Sequence, residues 1–158
     1  MRRARWSAVA AALLATPAQA EWFVQHLAPT EDAAFAAVGP EDRAMTNAYV
    51  EDEGGAHRIE ISCAPDGEFI GLARPGERAP FLGAGEAEAS VAFDGGAPRP
   101  LGTLRYVGGE YFARLPPEIR EAIARGDAMT LALEPGGTLA FTLRGSSRAL
   151  RDMMCFEG

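Results

Sequence analysis

Histidine, serine and cysteine are the side chains through which this 158-residue chain could carry out covalent or acid–base catalysis. His57 begins one predicted strand and His26 ends another. Nucleophilic catalysis needs a nucleophile, a base and a group that orients the base. Ser62 lies on the same predicted strand as His57, but residues five apart on a strand face opposite sides and lie about 16 Å apart. The sequence also lacks a G-x-S-x-G elbow. It therefore predicts no catalytic residue, and both histidines are interpreted as ordinary sheet-edge residues.

The two cysteines, Cys63 and Cys155, favour a structural disulfide over a pair of reactive thiols. They do not form a C-x-x-C motif, and neither begins a predicted helix, where a thiolate would be stabilised. An even number of cysteines in an exported chain indicates a disulfide, because the compartment is oxidising. The bond would close a loop across most of the domain, which the chain-entropy estimate puts at about 4 to 5 kcal/mol.

Metal and nucleotide binding each have one weak pattern in the chain. The acidic run 51–55 (Glu-Asp-Glu-Gly-Gly) lacks the alternating spacing of an EF-hand loop, so a solvated turn is the prediction and weak calcium binding the alternative. The run 83–86 (Gly-Ala-Gly-Glu) lacks the third glycine of a dinucleotide-binding loop and is predicted to be a flexible loop. No H-E-x-x-H motif is present. We expect neither a metal nor a cofactor. The 22 acidic residues leave carboxylate pairs for glycoside chemistry open.

The first twenty residues have the three parts of a secretory signal peptide. Arg2, Arg3 and Arg5 form a positive region, 6–15 is apolar, and 18–20 (Ala-Gln-Ala) is a small-x-small cleavage site. The apolar run is shorter than the roughly 20 residues that span a bilayer, as is every later one. The sequence predicts cleavage after Ala20 by the general secretory route, with the twin-arginine route less favoured. The mature chain is then periplasmic or secreted.

The mature chain 21–158 has the length of one domain and is acidic. After loss of three arginines, 12 arginines remain against 22 acidic residues, a net charge of −10. An acidic surface disfavours nucleic acids and anionic lipids, since both are bound through basic patches. No repeat or composition break indicates a second domain.

Strand patterns dominate this domain. Apolar and polar residues alternate with period two in 57–63, 88–93, 129–133 and 139–143. Turn sequences separate the segments, among them Gly108-Gly109 between 101–107 and 110–115, a connection typical of a two-residue hairpin. We also predict a strand over 22–26, and a surface loop over 74–87.

Two short helices are predicted near the C-terminus. One begins at Pro116-Pro117 and ends at Gly126, with Ile119 and Ile123 on its buried face. The other follows Gly145 with Ser146 as its N-cap. The segment 30–42 is compatible with a short helix or an irregular loop. Together these elements predict a mostly β, antiparallel, β-sandwich-like single domain, with a strongly bent antiparallel sheet as the alternative.

Two aromatic residues at the mature N-terminus are candidates for contact with a partner. Trp22 and Phe23 could form an exposed aromatic site. The alternative, which we favour, is that Trp22 and Val24 bury one face of the first strand.

The C-terminal two-thirds of the chain resembles a group of small exported proteobacterial proteins, the invasion-associated locus B family and periplasmic accessory proteins of type VI secretion. The resemblance covers about residues 57–156. It rests on the strands ending in Cys63 and Phe93, on the run 126–129 (Gly-Asp-Ala-Met) leading to an F-x-L-x-G strand at 141–145, and on a helix closed by Cys155. These motifs are structural, so the resemblance carries over no active-site residue.

The sequence therefore predicts a non-enzymatic, exported protein that binds a component of the cell envelope or of a secretion system. The alternative is a small periplasmic hydrolase or ligand-binding enzyme that uses carboxylates or His57. A purely structural or stress-buffering role is a third possibility. A pocket that gathers His57 with two or more acids would favour an enzyme, and an exposed aromatic or apolar patch would favour a binding protein.

Overall fold

The computed structural model describes residues 21–27, 45–64, 67–77 and 79–153. The predicted signal peptide, the segment 30–42 and Cys155 lie outside the described residues, so those predictions stay as stated. Within the described ranges, no helix is long and apolar enough to cross a membrane.

The described chain forms one antiparallel sheet of nine strands, which confirms the mostly β, antiparallel fold class. Neighbouring strands in sequence pair as hairpins, except where β4 pairs with β7 and β5 with β8. The order across the sheet is β1-β2-β3-β4-β7-β6-β5-β8-β9. The strands are β1 (Phe23–Leu27), β2 (Met45–Glu51), β3 (Arg58–Ala64), β4 (Gly67–Ala73), β5 (Glu86–Phe93), β6 (Arg99–Val107), β7 (Glu110–Arg114), β8 (Ala128–Glu134) and β9 (Gly137–Thr142).

The sheet bends until its two edge strands approach each other, as in the bent-sheet alternative. Residues from both halves of the sheet belong to one hydrophobic core. Trp22, next to edge strand β1, is 6% exposed, and its indole Nε1 donates a hydrogen bond to the carbonyl of Thr142 at the end of edge strand β9, 3.0 Å away. Side-chain alternation then gives every strand an inner face on the core and an outer face away from it.

The two predicted helices are present as α1 (Pro117–Arg125) and α2 (Ser146–Asp152). The N-cap of α2 was predicted incorrectly. Gly145, with φ 91°, occupies that position, and Ser146 is the first helical residue. The Ser146 hydroxyl is buried and donates to the Ile123 carbonyl at the end of α1, 2.6 Å away. It therefore ties the two helices together instead of capping its own.

Two further details differ from the predicted elements. Strand β2 was not predicted from the sequence, although Ala48 and Val50 alternate with polar residues and are fully buried. The predicted loop 74–87 is irregular only as far as residue 85, because β5 begins at Glu86. Within that loop Phe81 packs against the core, with its ring 5.1 Å from that of the buried Tyr111.

Candidate binding face

The outer side of β2, β3, β4 and β7 carries most of the charged and polar groups that pack against one another. On β3 the alternation is strict: Ile59 and Ile61 are fully buried, whereas Arg58 and Glu60 are half-buried on the opposite side. Because β2, β4 and β7 continue the same sheet, their outward residues share a surface with Arg58 and Glu60. We call this surface the polar face; it comprises Asn47, Tyr49, Glu51, Arg58, Glu60, Gly71, Glu110 and Phe112.

A glycine leaves a notch in the middle of the polar face. In the sheet register, Gly71 lies between Glu60 of β3 and Phe112 of β7. A Cβ atom at residue 71 would be 2.8 Å from Cε1 of Phe112 and 3.3 Å from Oε2 of Glu110. A phenyl ring and a carboxylate thus fill the space above the strand, and this close approach explains glycine inside a strand.

Two carboxyl groups beside the notch are hard to ionise. Burial, and after it the neighbouring Glu110 carboxylate, raises the pKa of Glu60 to about 7. The Arg58 guanidinium and a hydrogen bond from Asn47 Nδ2 oppose this shift without cancelling it. Burial also raises the pKa of Glu110, again against the effect of Arg58. Glu60 therefore exchanges its proton near neutral pH.

An aromatic and cationic stack borders these carboxyl groups on the side of β1. The rings of Phe23 and Tyr49 stack with centroids 5.5 Å apart. The Arg58 guanidinium lies 4.3 Å from the centroid of the Tyr49 ring, a cation–π distance. Its Nη2 also donates to Glu51 Oε1, 2.8 Å away. Two neighbours therefore fix the position of Arg58.

A shallow pocket of about 690 Å³ opens at the end of the polar face. Its walls are the ends of β3 and β4, the chain that follows β4, and the hairpin that joins β6 to β7. The side chains that line it include two arginines and two glutamates. The lining residues are Arg58, Ala73, Arg74, Pro75, Gly76, Glu77, Tyr106, Gly108, Gly109 and Glu110.

Three buried polar atoms here have no hydrogen-bond partner among the described residues. Arg58 Nε and Tyr106 Oη belong to pocket-lining side chains, and Asn47 Oδ1 belongs to the residue that contacts Glu60. A buried donor or acceptor left unpaired costs about 1 to 3 kcal/mol. Arg58 and Asn47 belong to the polar face, whereas Tyr106 is in register with the fully buried Tyr111 and lies on the core side of the sheet.

His57 lies in a network that already engages both of its ring nitrogens. Nδ1 is 2.9 Å from Asp52 Oδ2, and Nε2 is 3.2 Å from Arg74 Nη2. Burial raises the pKa of the Asp52 carboxyl, but hydrogen bonds from His57 and Ala56 outweigh it and hold that pKa below its ordinary value. In this arrangement an arginine covers the nitrogen that a general base would need. One carboxylate, not two, contacts the imidazole in the described structure.

The acidic run 51–55 lies at the β2–β3 connection, and two of its carboxylates have partners there. Glu51 pairs with Arg58, and Asp52 accepts hydrogen bonds from the main-chain N–H groups of Ala56 and His57. Across the described residues, no group of three or more His, Cys, Asp or Glu side chains could hold a metal ion. In the run 83–86, the Ala84 carbonyl accepts a hydrogen bond from the Tyr111 hydroxyl.

The candidate partner contacts separate into one buried and one exposed residue. Trp22 is in the core, so the exposed-site prediction is corrected for this residue. Phe23 is 50% exposed, and partner contact through it stays a prediction. Cys63 is buried at the end of β3, 2% exposed, and its disulfide to Cys155 also stays a prediction. His26 lies in β1 in register with Thr46 of β2. Strand β2 separates β1 from β3, the strand that His57 directly precedes.

Sequence reasoning did not single out the residues of the notch and the pocket. Glu60 and Glu110 fall on polar positions of alternating strands, which indicates solvated side chains. One usable signal was Gly71, since a glycine within an otherwise apolar strand marks a bulge or a close approach. A second was the polar Asn47 in a short segment that includes buried positions.

Comparisons with known proteins give one structural similarity. No protein-family model matches the chain, and no curated protein matches its sequence. The fold is similar to the crystal structure of invasion associated protein B from Bartonella henselae, with 16% sequence identity and a TM-score of 0.47. The match covers 84% of this chain and 91% of that one.

Proposed function

We propose that this chain is an exported, non-enzymatic accessory protein of the cell envelope or of a secretion system, and that it works by binding through the polar face. The observation that carries the proposal is the pocket of about 690 Å³ at the end of this face, to which Arg58 and Glu110 of the polar face contribute. Pockets of this size, with a few convergent polar groups, are typical of binding sites.

The surroundings of the pocket support a role in protein contact. Two large apolar side chains are exposed in the described structure, Phe23 at 50% and Val107 at 63%. Phe23 stacks on Tyr49 of the polar face, and Val107 directly precedes the hairpin glycines that line the pocket. Exposed apolar residues rimmed by polar side chains are typical of interaction surfaces.

In-cell crosslinking tests the binding role. A photo-crosslinking residue at Val107 should capture one dominant envelope or secretion protein, identified by mass spectrometry. The same residue at Arg148, which is 83% exposed on α2, serves as the matched control. Equal capture from both positions, or none from Val107, would contradict the proposal. The intact mass of the recovered protein should correspond to a chain that begins at Glu21.

A carboxylate-based hydrolase is the second candidate function. The observation that favours it is Glu60, whose pKa of about 7 would let it donate a proton at neutral pH, next to the second carboxyl of Glu110. The engaged ring nitrogens of His57 argue against the version that uses this histidine. Turnover of nitrophenyl glycosides or esters that is lost in Glu60→Gln and kept in Glu53→Gln would establish this candidate. No turnover by the unmodified protein would exclude it for those substrates.

A further inference from the structure

A short segment of the β4–β5 connection, residues 79–85, lies against the core side of the sheet; we call it the strap. The Leu82 N–H donates a hydrogen bond to the hydroxyl of Tyr111, 3.3 Å away, and that hydroxyl in turn donates to the Ala84 carbonyl. The ring of Phe81 packs edge-on against the Tyr111 ring. Tyr111 is fully buried, so the strap covers the core at the start of β7.

Two residues outside the strap hold Phe81 in place. The Arg74 guanidinium lies 4.9 Å from the centroid of the Phe81 ring, a cation–π distance, and the ring of His57 lies 5.9 Å from the same centroid. Arg74 Nη2 and His57 Nε2 are 3.2 Å apart. Both residues continue the core-facing positions of their strands, since they lie two positions from the buried Ile59 and Leu72. We call His57, Arg74 and Phe81 the latch.

The latch requires a neutral imidazole. An arginine can only donate, so His57 Nε2 accepts the hydrogen bond from Arg74 and the ring proton is on Nδ1. That proton is donated to Asp52 Oδ2, 2.9 Å away. A second proton would occupy Nε2 and point at a guanidinium that has no acceptor. Protonation of His57 therefore disrupts its contact with Arg74 and keeps its contact with Asp52.

The two charged groups that contact the imidazole differ in how firmly they are held. The Asp52 carboxylate favours the imidazolium, and two main-chain N–H groups fix its position. The Arg74 guanidinium opposes the imidazolium by charge repulsion, but Arg74 is exposed and its side chain can move into solvent. Arg74 is therefore the partner that leaves when His57 becomes charged.

Other charged groups nearby have partners elsewhere. Arg58, which follows His57, lies on the opposite face and pairs with Glu51. The Glu77 carboxylate accepts a hydrogen bond from the Ala79 N–H at the start of the strap, 3.2 Å away. In the described structure no hydrogen bond or ion pair joins these groups to the imidazole, so Asp52 and Arg74 control the latch.

We propose that protonation of His57 releases Arg74 and Phe81, so that the strap opens at mildly acidic pH. Histidine is the side chain that ordinarily changes charge between pH 5 and 8. Opening also admits water to the core side next to Tyr111. There the Tyr106 hydroxyl is buried without a partner among the described residues, and its hydration favours the open state. This inference concerns the fold and does not rest on the proposed binding role.

Amide hydrogen exchange, followed by NMR between pH 8 and pH 5, tests the opening in the unmodified protein. The protection factor of the Leu82 amide should fall about 3- to 10-fold over this range, because one hydrogen bond of the latch is lost. The Leu143 amide, which donates to the Asp127 carbonyl, is the reference and its protection should not fall. The midpoint of the change at Leu82 should coincide with that of the His57 ring signals. No fall at Leu82, an equal fall at Leu143, or two different midpoints would overturn the inference.

Three variants assign the effect to the latch. His57→Gln cannot titrate and should abolish the fall in Leu82 protection, whereas His26→Gln removes the other histidine and should leave it unchanged. Arg74→Gln offers an amide that can donate or accept, so His57 should still titrate while Leu82 protection stays constant. Melting temperatures at pH 8 show that the variants fold. A fall that persists in His57→Gln or Arg74→Gln, or disappears in His26→Gln, would contradict the assignment.

Discussion

The ring of Phe112 lies directly over Gly71: its Cε1 atom is 2.8 Å from the point where a side chain at residue 71 would begin. This contact couples β7 to β4 across the polar face, where the two residues are in register. It also places the Glu110 carboxylate, two positions before Phe112, above the same strand. The position of a candidate binding group therefore depends on a residue that has no side chain.

Gly71→Ala should destabilise the fold by about 1 to 3 kcal/mol, because its Cβ would overlap Phe112 and crowd Glu110. Urea unfolding followed by circular dichroism measures the change. Gly85→Ala is the matched control, since a Cβ there has open space and the backbone has no left-handed φ. It should change stability by no more than about 0.5 kcal/mol. Equal effects of the two substitutions would show that the notch is not closely packed.

Glu60→Gln should stabilise the protein at alkaline pH and have little effect at acidic pH. The folded-state pKa of about 7 lies above the ordinary value of 4.5, so the folded chain binds more protons than the unfolded chain between those values. Stability therefore falls as the pH rises through this window, and the cost is complete above pH about 7. A glutamine at position 60 cannot ionise, so the variant does not have this cost. Its free energy of unfolding at alkaline pH should be higher by about 2 kcal/mol, after allowance for partial exposure.

Chemical unfolding of the Glu60→Gln variant at a series of pH values from acidic to alkaline tests this prediction. Glu53→Gln, at an exposed turn position, is the control and should follow the unmodified protein throughout. A difference between Glu60→Gln and the unmodified protein that stays constant with pH would contradict it. In Glu110→Gln the loss of a neighbouring carboxylate should lower the pKa of Glu60, which NMR of the side-chain carboxyl can follow.

Ser146→Ala should destabilise the contact between α1 and α2 by about 1 to 3 kcal/mol. It removes the buried hydroxyl that bonds the Ile123 carbonyl and leaves that acceptor without this donor. Thermal unfolding measures the loss. Ser147→Ala changes the neighbouring exposed serine in the same way and should have almost no effect. Similar melting temperatures for the two variants would mean that the hydroxyl contributes little.

The predicted disulfide between Cys63 and Cys155 has a direct test in the intact mass. The non-reduced protein should be lighter than the reduced protein by two hydrogen atoms. Cys63→Ala, Cys155→Ala and the double variant should all lower the melting temperature, and the double variant by much less than the sum of the singles. Additive effects, or a free thiol at both positions, would contradict the bond. Cys63 is buried, so its own variant also loses packing in the core.

Local features of the fold were predictable because they depend on neighbouring residues. Alternation in 57–63 and 129–133, and the Gly108-Gly109 connection, are properties of short segments, and the structure has strands and a hairpin there. The pairings of β4 with β7 and β5 with β8 were not predictable. They join segments about 40 residues apart, and no short-range pattern encodes such a register.

The candidate site was less predictable than the fold, for the same physical reason. The alternation in β3 predicts that the Glu60 side chain points away from the core, and such side chains are ordinarily in contact with solvent. Its burial comes from Asn47 on one neighbouring strand and, across Gly71, from Glu110 and Phe112 on a strand about 50 residues later. The role of Ser146 was misassigned because a serine before a helical pattern is the usual sign of a cap. The actual partner, Ile123, belongs to another helix.

The hydrogen bond from Trp22 to Thr142 has a consequence for the order in which this chain can acquire its structure. Its two residues are 120 positions apart, and they join the first strand to the last. A polypeptide that crosses a membrane N-terminus first would deliver Trp22 at the start of translocation and Thr142 near the end. The edges of the sheet could not meet until nearly the whole chain had crossed. Contacts of such long sequence separation slow folding. In the proposed export, the sheet would therefore close only after translocation was nearly complete.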